Sequence, residues 1–544
     1  MLKISDIVEI KIEKIVFGGE GLGYYNSSFA VFVPMSVPND IVKVEIISIK
    51  KTYARGLIKE IIKAGTERIK NNKISFEDFD GCDFAMLDYN AQLKYKKQMV
   101  EDVMSRIGGL NDFSLNEVIP SENIFNYRNK IIEPFSYDNG NIITGFFKRK
   151  SHDVFEVEEN ILNSKLGNSI IRYLKELLNN EKFSVYDEKK HSGILRNIMI
   201  RTNSKNEAMV VLIINSDKIT DKLKTVLLKL KDEFNEIKSI YFSSNTKKTN
   251  TLLGEKNTLI WGEKFIKETI ENISFYISPT SFFQINLEQT KKLYSRAISM
   301  FSDIENKYIV DAYSGTGTIA MILAKKAKKV YSIEIVKSAS EDGKRTAIEN
   351  NINNIEFING AVEDKLSELV KNKKQIDTII FDPPRKGLES SIIDKVAELE
   401  LPEIVYISCN PSTLARDIKL FSEKGYKLKK MEAVDMFPQT SHVETVALLS
   451  KLNVDKHISV EVELDELDLT SAESKATYAQ IKKYILEKFD LKVSTLYIAQ
   501  IKKKCGIALR EHYNKSKKEK QVIPQCTPEK EEAIMDALRH FKMI

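Results

Sequence analysis

Cys409 closes the apolar run Ile404-Val405-Tyr406-Ile407-Ser408 and precedes Asn410-Pro411-Ser412-Thr413-Leu414-Ala415-Arg416-Asp417. Asp382 closes a second apolar run, Ile376-Asp377-Thr378-Ile379-Ile380-Phe381, and opens Asp382-Pro383-Pro384-Arg385-Lys386-Gly387. Farther on, Asp435-Met436-Phe437-Pro438-Gln439-Thr440-Ser441-His442-Val443-Glu444 ends in a carboxylate. A thiolate is a nucleophile and a carboxylate a proton acceptor, and a reaction at C5 of uracil needs both around one ring. C5 is a poor nucleophile until something adds to C6. A thiolate adding there gives an enolate whose C5 can attack a sulfonium methyl, and a base must then remove the C5 proton before the cysteine leaves. Cys409 and Glu444 suit those two roles. Taken singly, Cys409 reads more readily as a small buried residue at a strand end, Glu444 as a surface acid and His442 as a hydrogen-bonded structural histidine.

The two apolar runs have the build of buried strands, and open α/β sheets hold ligands at the carboxyl ends of such strands. A third run, Tyr308-Ile309-Val310-Asp311-Ala312-Tyr313, leads into the turn Ser314-Gly315-Thr316-Gly317-Thr318 and the apolar helix Ile319-Ala320-Met321-Ile322-Leu323-Ala324. Glycines there let the backbone come close to a nucleoside at a helix N-terminus. The next strand, Val330-Tyr331-Ser332-Ile333-Glu334, ends in an acid 17 residues past Gly317, where a carboxylate can accept both ribose hydroxyls. Gly315-x-Gly317-x-x-Ala320 also satisfies the dinucleotide fingerprint, so this turn alone leaves NAD binding open.

The downstream motifs remove that reading. Ser408-Cys409-Asn410-Pro411-x-Thr413-Leu414-Ala415-Arg416-Asp417, Asp382-Pro383-Pro384-Arg385 and Phe437-Pro438-Gln439-Thr440-x-His442-Val443-Glu444 resemble the RNA uracil-5-methyltransferase family, and so does Ser278-Pro279-Thr280-Ser281-Phe282-Phe283-Gln284-Ile285-Asn286 upstream. The resemblance implies Cys409 as nucleophile and Glu444 as proton acceptor. It implies S-adenosyl-L-methionine as cofactor, contacted by Gln284, Tyr313, Glu334 and Asp382, with Asp382 also at the uracil edge. Amine methylation would call for an Asn-Pro-Pro-Tyr type motif and has no use for Cys409; a non-catalytic RNA-binding protein with a vestigial fold would not need the cysteine and carboxylate together. The family acts on tRNA or on 23S rRNA. A barrel plus a large central domain favours 23S rRNA, because the tRNA-specific relatives look barrel-less. Many relatives also hold an iron–sulfur cluster on four cysteines, three of them in a Cys-x5-Cys-Gly-Gly-Cys run. Here Gly81-Cys82 remains, Lys73 and Phe79 stand at the other two positions and Asn160 near the fourth, so no cluster is expected.

Four regions must position these groups, as the length of 544 residues also requires. Period-two runs split by Gly18-Gly19-Glu20-Gly21-Leu22-Gly23 predict a small OB-like β-barrel over residues 1–62, which resembles a TRAM RNA-binding domain. Residues 63–272 mix helix and strand patterns into an α+β central domain. Residues 273–453 alternate strand and helix, predicting a doubly wound parallel sheet, a Rossmann-like class I methyltransferase domain. Residues 454–544 read as a small helical extension: a capping box at Thr470-Ser471-Ala472-Glu473, a second helix ending at Gly506 and a third opening at Thr527-Pro528.

Composition narrows the class. Lysine and arginine exceed aspartate and glutamate by only 6, 83 against 77, too few to establish nucleic-acid binding by themselves. Basic and aromatic residues mix in Lys50-Lys51-Thr52-Tyr53-Ala54-Arg55 and Phe146-Phe147-Lys148-Arg149-Lys150, patches able to pair phosphates and stack bases, although solvated surface lysines explain each equally well. In the extension, Lys502-Lys503-Lys504 and the loop residues Arg510, His512, Lys515, Lys517 and Lys518 suit phosphate contact or protein docking about equally. No apolar run has spanning length, the N-terminus lacks the build of a signal peptide, and four scattered cysteines point to a reducing cytoplasm.

Overall fold

Strands Ile7–Ile15, Gly21–Tyr25, Phe29–Val33, Ile41–Ile49 and Tyr53–Lys63 close into a barrel in the computed structural model. That model describes residues 2–69, 81–148, 151, 153–248, 251–451, 478–491, 493–505, 527–541 and 543–544. Alternation fills the barrel with Ile10, Ile12, Val31, Val33, Val42, Val44 and Ile46. The connection at Gly18 and Gly19 runs at φ 96° and 81°. A Cβ on Gly19 would lie 2.6 Å from the Cβ of Ser441, so glycine is what lets this loop rest on the segment before Glu444.

The central sheet orders its seven strands Lys256–Gly262, Ile237–Ser244, Ala208–Ile214, Leu195–Thr202, Lys130–Asp138, Asn141–Phe147 and Val154–Glu156. Ala208–Ile214 is apolar throughout because both its faces are covered. Val210, Leu212 and Ile214 pack on helices Lys165–Asn180 and Asp221–Glu233, while Met209, Val211 and Ile213 join the methyltransferase core. Helix Tyr89–Arg106, capped by Asp88, precedes this sheet in the chain yet buries Val100 and Met104 in the methyltransferase core.

The methyltransferase sheet contains, in chain order, Tyr308–Ala312, Lys329–Glu334, Ile355–Asn359, Thr378–Phe381, Glu403–Ser408, Tyr426–Val434 and Glu444–Lys451. Their spatial order is third, second, first, fourth, fifth, seventh, sixth. Alternating helices make the first five parallel, as the sequence predicts. The last strand departs from an all-parallel sheet: it inserts antiparallel between the fifth and the sixth. No helix separates it from Tyr426–Val434, so the chain can only turn back on itself there.

Residues 454–544 form a second compact unit. Within it, helices Tyr478–Phe489, Thr495–Lys504 and Pro528–His540 share a core of Ile481, Ile485, Ile498, Ile501, Ile534 and Leu538. The expected Lys502-Lys503-Lys504 cationic face is narrower than the sequence implies. Lys502 is buried and Lys504 pairs with Glu531, because helical spacing turns Lys502 toward the core beside Ile498 and Ile501. The capping box at 470–473, Gly506 and the basic loop residues 510–518 lie outside the described residues. Among the described residues no helix is long and apolar enough to cross a membrane.

Candidate active site

The antiparallel strand is what joins the two catalytic candidates. Its register pairs Ser408 with Thr445, whose Oγ1 donates to the Ser408 carbonyl at 3.1 Å. One step farther along that register, Cys409 faces Glu444 across the strand ends. Asn410 then caps helix Pro411–Glu423 by accepting from the Ser412 N–H, with Pro411 in the first turn, so the thiol stands directly before a helix N-terminus.

Cys409 and Glu444 line one cavity of about 600 Å³ together with Gln284, Tyr313 and Asp382. Glu334 lies outside that cavity and lines an adjoining one of about 600 Å³, which shares Phe282, Tyr313, Gly315, Asp382 and Pro384 with the first. The Glu334 carboxylate accepts from the N–H groups of Gly315 at 2.8 Å and Val336 at 2.7 Å. Tyr313 adopts a left-handed φ of 65°, unusual for a bulky residue, to pass from strand to glycine turn. At Gly315, φ 57°, an added Cβ would meet nothing within 4 Å. The backbone there is open to a ligand, and with the Glu334 carboxylate the residues present fit a bound nucleoside.

The electrostatics are those of crowded, buried carboxyls. Burial pushes Glu444 up to about 8, with the charge of Asp382 adding and Arg385 opposing. Burial alone takes Asp382 up to about 7. Cys409 rises to about 11, first from burial and then from Glu444 and Asp382, again against Arg385. His442 is also in the cavity, and burial lowers its proton affinity, which keeps it neutral near pH 7.

A polar network fixes the segment that leads to Glu444. Lys96, fully buried, donates to Asp435 Oδ1 at 2.5 Å and to the Phe437 carbonyl at 3.0 Å. Tyr89 donates to Asp435 Oδ2 at 2.8 Å. Gln92 exchanges two hydrogen bonds with Gln439, which sits at φ 69°. Asn286 and Gln289, from the helix start that follows Gln284, donate to the carbonyls of Met436 and Asp435. The Gln284 and Glu444 motifs, far apart in sequence, are thereby locked together.

Several cavity residues were not singled out by sequence reasoning. Arg385 stands inside a quoted motif, and its charge partner Cys409 was the available signal. Tyr294, buried against Gln284, and Arg128 had none: in sequence one is a helix core residue and the other a surface cation. Among the described residues no group of three or more potential metal ligands forms, and the Cys82 side chain is buried with Ala85, Tyr127 and Leu162, whereas a cluster wants four thiolates. Asn160, also buried, uses its Oδ1 to accept from the Leu162 N–H at 2.8 Å. Lys73 and Phe79 lie outside the described residues.

Residues 88–452 match the model of the tRNA (uracil-5-)-methyltransferase family, and residues 3–59 match the TRAM domain. The chain belongs to the tRNA (uracil-5-)-methyltransferase family. It is an S-adenosylmethionine-dependent RNA methyltransferase by fold and family. It is 72% identical over 451 residues to an uncharacterized RNA methyltransferase of Fusobacterium nucleatum subsp. nucleatum, covering 83% of this chain and 97% of that protein. A Clostridium tetani protein, also an uncharacterized RNA methyltransferase, is 38% identical over 433 residues, 79% of this chain and 94% of its own. Among solved structures, the Pyrococcus abyssi tRNA (uracil-54, C5)-methyltransferase in complex with S-adenosyl-L-homocysteine is similar at a TM-score of 0.65 and 30% identity. That match covers 81% of this chain and all of that one.

Proposed function

We propose that this methyltransferase modifies C5 of a uridine in 23S rRNA through a covalent adduct on Cys409. The observation that carries the mechanism is the single cavity onto which Cys409, Glu444 and Asp382 converge. S-adenosyl-L-methionine, held by Gln284, Tyr313, Glu334 and Asp382, supplies an electrophilic methyl group when bound. Arg385 and the N-terminus of helix Pro411–Glu423 favour the Cys409 thiolate against the burial that opposes it. The thiolate sulfur bonds to C6, and the C5–C6 electron pair moves into the enolate. C5 uses that pair to take the methyl as the methyl–sulfonium bond breaks, with the electrons of that bond staying on the departing sulfur. Glu444, in its carboxylate form, then accepts the C5 proton; the C–H pair restores the C5–C6 double bond and the C6–sulfur bond breaks, freeing Cys409. Asp382, buried and with a raised proton affinity, can donate as well as accept at the uracil edge.

The barrel loop resting on Ser441 and the central sheet sharing the methyltransferase core both border the catalytic body. Both offer surface beyond the catalytic cavity, and the TRAM match supports RNA as what they meet. Its reducing-compartment cysteine usage suits the cytoplasm, where such RNA is made in bacteria. A second reading, tRNA, is favoured by the likeness to the Pyrococcus abyssi enzyme over that enzyme's whole length. Mapping 5-methyluridine in total RNA of a deletion strain separates the two. Loss from 23S rRNA is expected, loss confined to tRNA would move the substrate, and loss from neither would overturn C5 methylation.

A further inference from the structure

We propose that Lys130 and Arg128 form a seat for the backbone phosphate beside the uridine that enters the catalytic cavity, with Arg201 as its buried support. The seat rests on the reading of the substrate as RNA, but not on which RNA or on the roles of Cys409 and Glu444. The three cations meet where the central sheet joins the segment that walls the cavity. Arg128 lines the cavity itself. Asn129 follows and grips the wall: its N–H donates to the Ile285 carbonyl and its Nδ2 to the Gln284 carbonyl, each at 2.9 Å. Lys130 then opens strand Lys130–Asp138 and pairs across the sheet with Arg201, which puts both side chains on one face. Arg201, almost fully buried, donates to the carbonyls of Ser281 and Pro279, in the stretch that runs on into Phe282 and Gln284.

What this cluster lacks is an anion. None of the three cations has a carboxylate partner among the described residues, and the Nε atoms of Arg128 and Arg201 are buried without a hydrogen-bond acceptor there. The acid that reaches the Ser281 loop is already engaged: Asp342 accepts from Ser281 Oγ at 3.2 Å and pairs with Arg345 at 2.8 Å. Lys130 is half-buried, and burial followed by the charge of Arg201 lowers it to about 8. A solvated surface lysine would be neither half-buried nor set beside a second cation, and an arriving anion offsets both costs. A phosphodiester is the anion that a uridine inside RNA must bring with it. Holding that phosphate orients the nucleotide without reading its sequence, which leaves the base to the cavity.

The test compares the full chain with Lys130→Gln, Lys130→Arg and Arg128→Gln. Kd for a single-stranded oligouridylate is measured between roughly 50 and 200 mM salt. Methylation of total RNA from a deletion strain is followed alongside, with KM determined separately for RNA and for S-adenosyl-L-methionine. Each glutamine variant should lower the slope of log Kd against log salt by about 0.7, the loss of one phosphate contact on a single strand. Each should also raise KM for RNA about 10-fold, and Lys130→Arg should restore slope and KM together. In urea unfolding Lys130→Gln should be no less stable than the wild type, since an unpaired half-buried cation is removed; lost stability with an unchanged slope would make Lys130 structural and overturn the seat. Equal slopes for all four proteins would overturn it too, as would a rise confined to KM for S-adenosyl-L-methionine, which would assign the anion to the cofactor's carboxylate. If the slopes differ but no RNA is methylated, the seat stands and the catalytic reading falls; methylation with equal slopes is the converse.

Discussion

Replacing Glu444 by glutamine should stabilise the protein while stalling it. The carboxyl is fully enclosed, and its proton affinity rises from an ordinary 4.5 to about 8 through burial and the neighbouring Asp382. Below pH 4.5 both folded and unfolded forms carry the proton and the group costs nothing. Above that, the unfolded chain releases the proton and the folded one keeps it, so stability falls as pH rises, until the folded group also ionises near 8. A shift from 4.5 to about 8 corresponds to about 5 kcal/mol of lost stability at the alkaline end. Glu444→Gln keeps the shape and removes the ionisation. Urea unfolding of both proteins between pH 5 and 8.5 should show a stability gap that opens from about 1 to several kcal/mol in favour of the variant. The same variant should still add to C6 and take the methyl, but with no acceptor for the C5 proton a methylated covalent intermediate should accumulate on ordinary RNA. Parallel stability curves, or turnover at the wild-type rate, would refute the placement of the base.

Lys96→Met would leave Asp435 buried with only Tyr89 for a partner, and should cost about 3 kcal/mol in urea unfolding, since breaking a buried pair from one side typically costs 3–5 kcal/mol. Gly19→Val meets both a left-handed φ and the Ser441 side chain, so it should lose at least about 1–2 kcal/mol and lower RNA turnover as the barrel loop lifts away; unchanged turnover would separate the barrel from catalysis. Anaerobically purified protein should lack brown absorbance and stoichiometric iron and sulfide, and four irons per chain would mean that thiolates other than Cys82 have been recruited.

The sequence made the parallel half of the methyltransferase sheet readable because each apolar run there is followed by a helix, and the parallel-sheet rule then places Asp382 and Cys409 at one edge. It did not show how Glu444 reaches Cys409. That depends on an antiparallel insertion, and a period-two run carries no mark of strand direction. The destination of helix Tyr89–Arg106 was equally hidden, since an amphipathic stripe says that a face is buried but not against what. Nothing in the residues around Lys96 marks it as buried. Only the fold reveals that it is buried against Asp435 and steadies the strand that bears the base. In the extension, a lysine triplet looked like one face, and helical spacing divided it, with Lys502 inward and Lys503 outward.

Covalent trapping tests the central claim most directly. An RNA substrate carrying 5-fluorouridine has no C5 proton to remove, so an adduct formed through the C6–sulfur bond cannot resolve after methyl transfer. Wild-type protein should migrate with that RNA in a denaturing gel in the presence of S-adenosyl-L-methionine, and Cys409→Ala should not. Equal trapping by both proteins would contradict the assignment of Cys409 as the nucleophile.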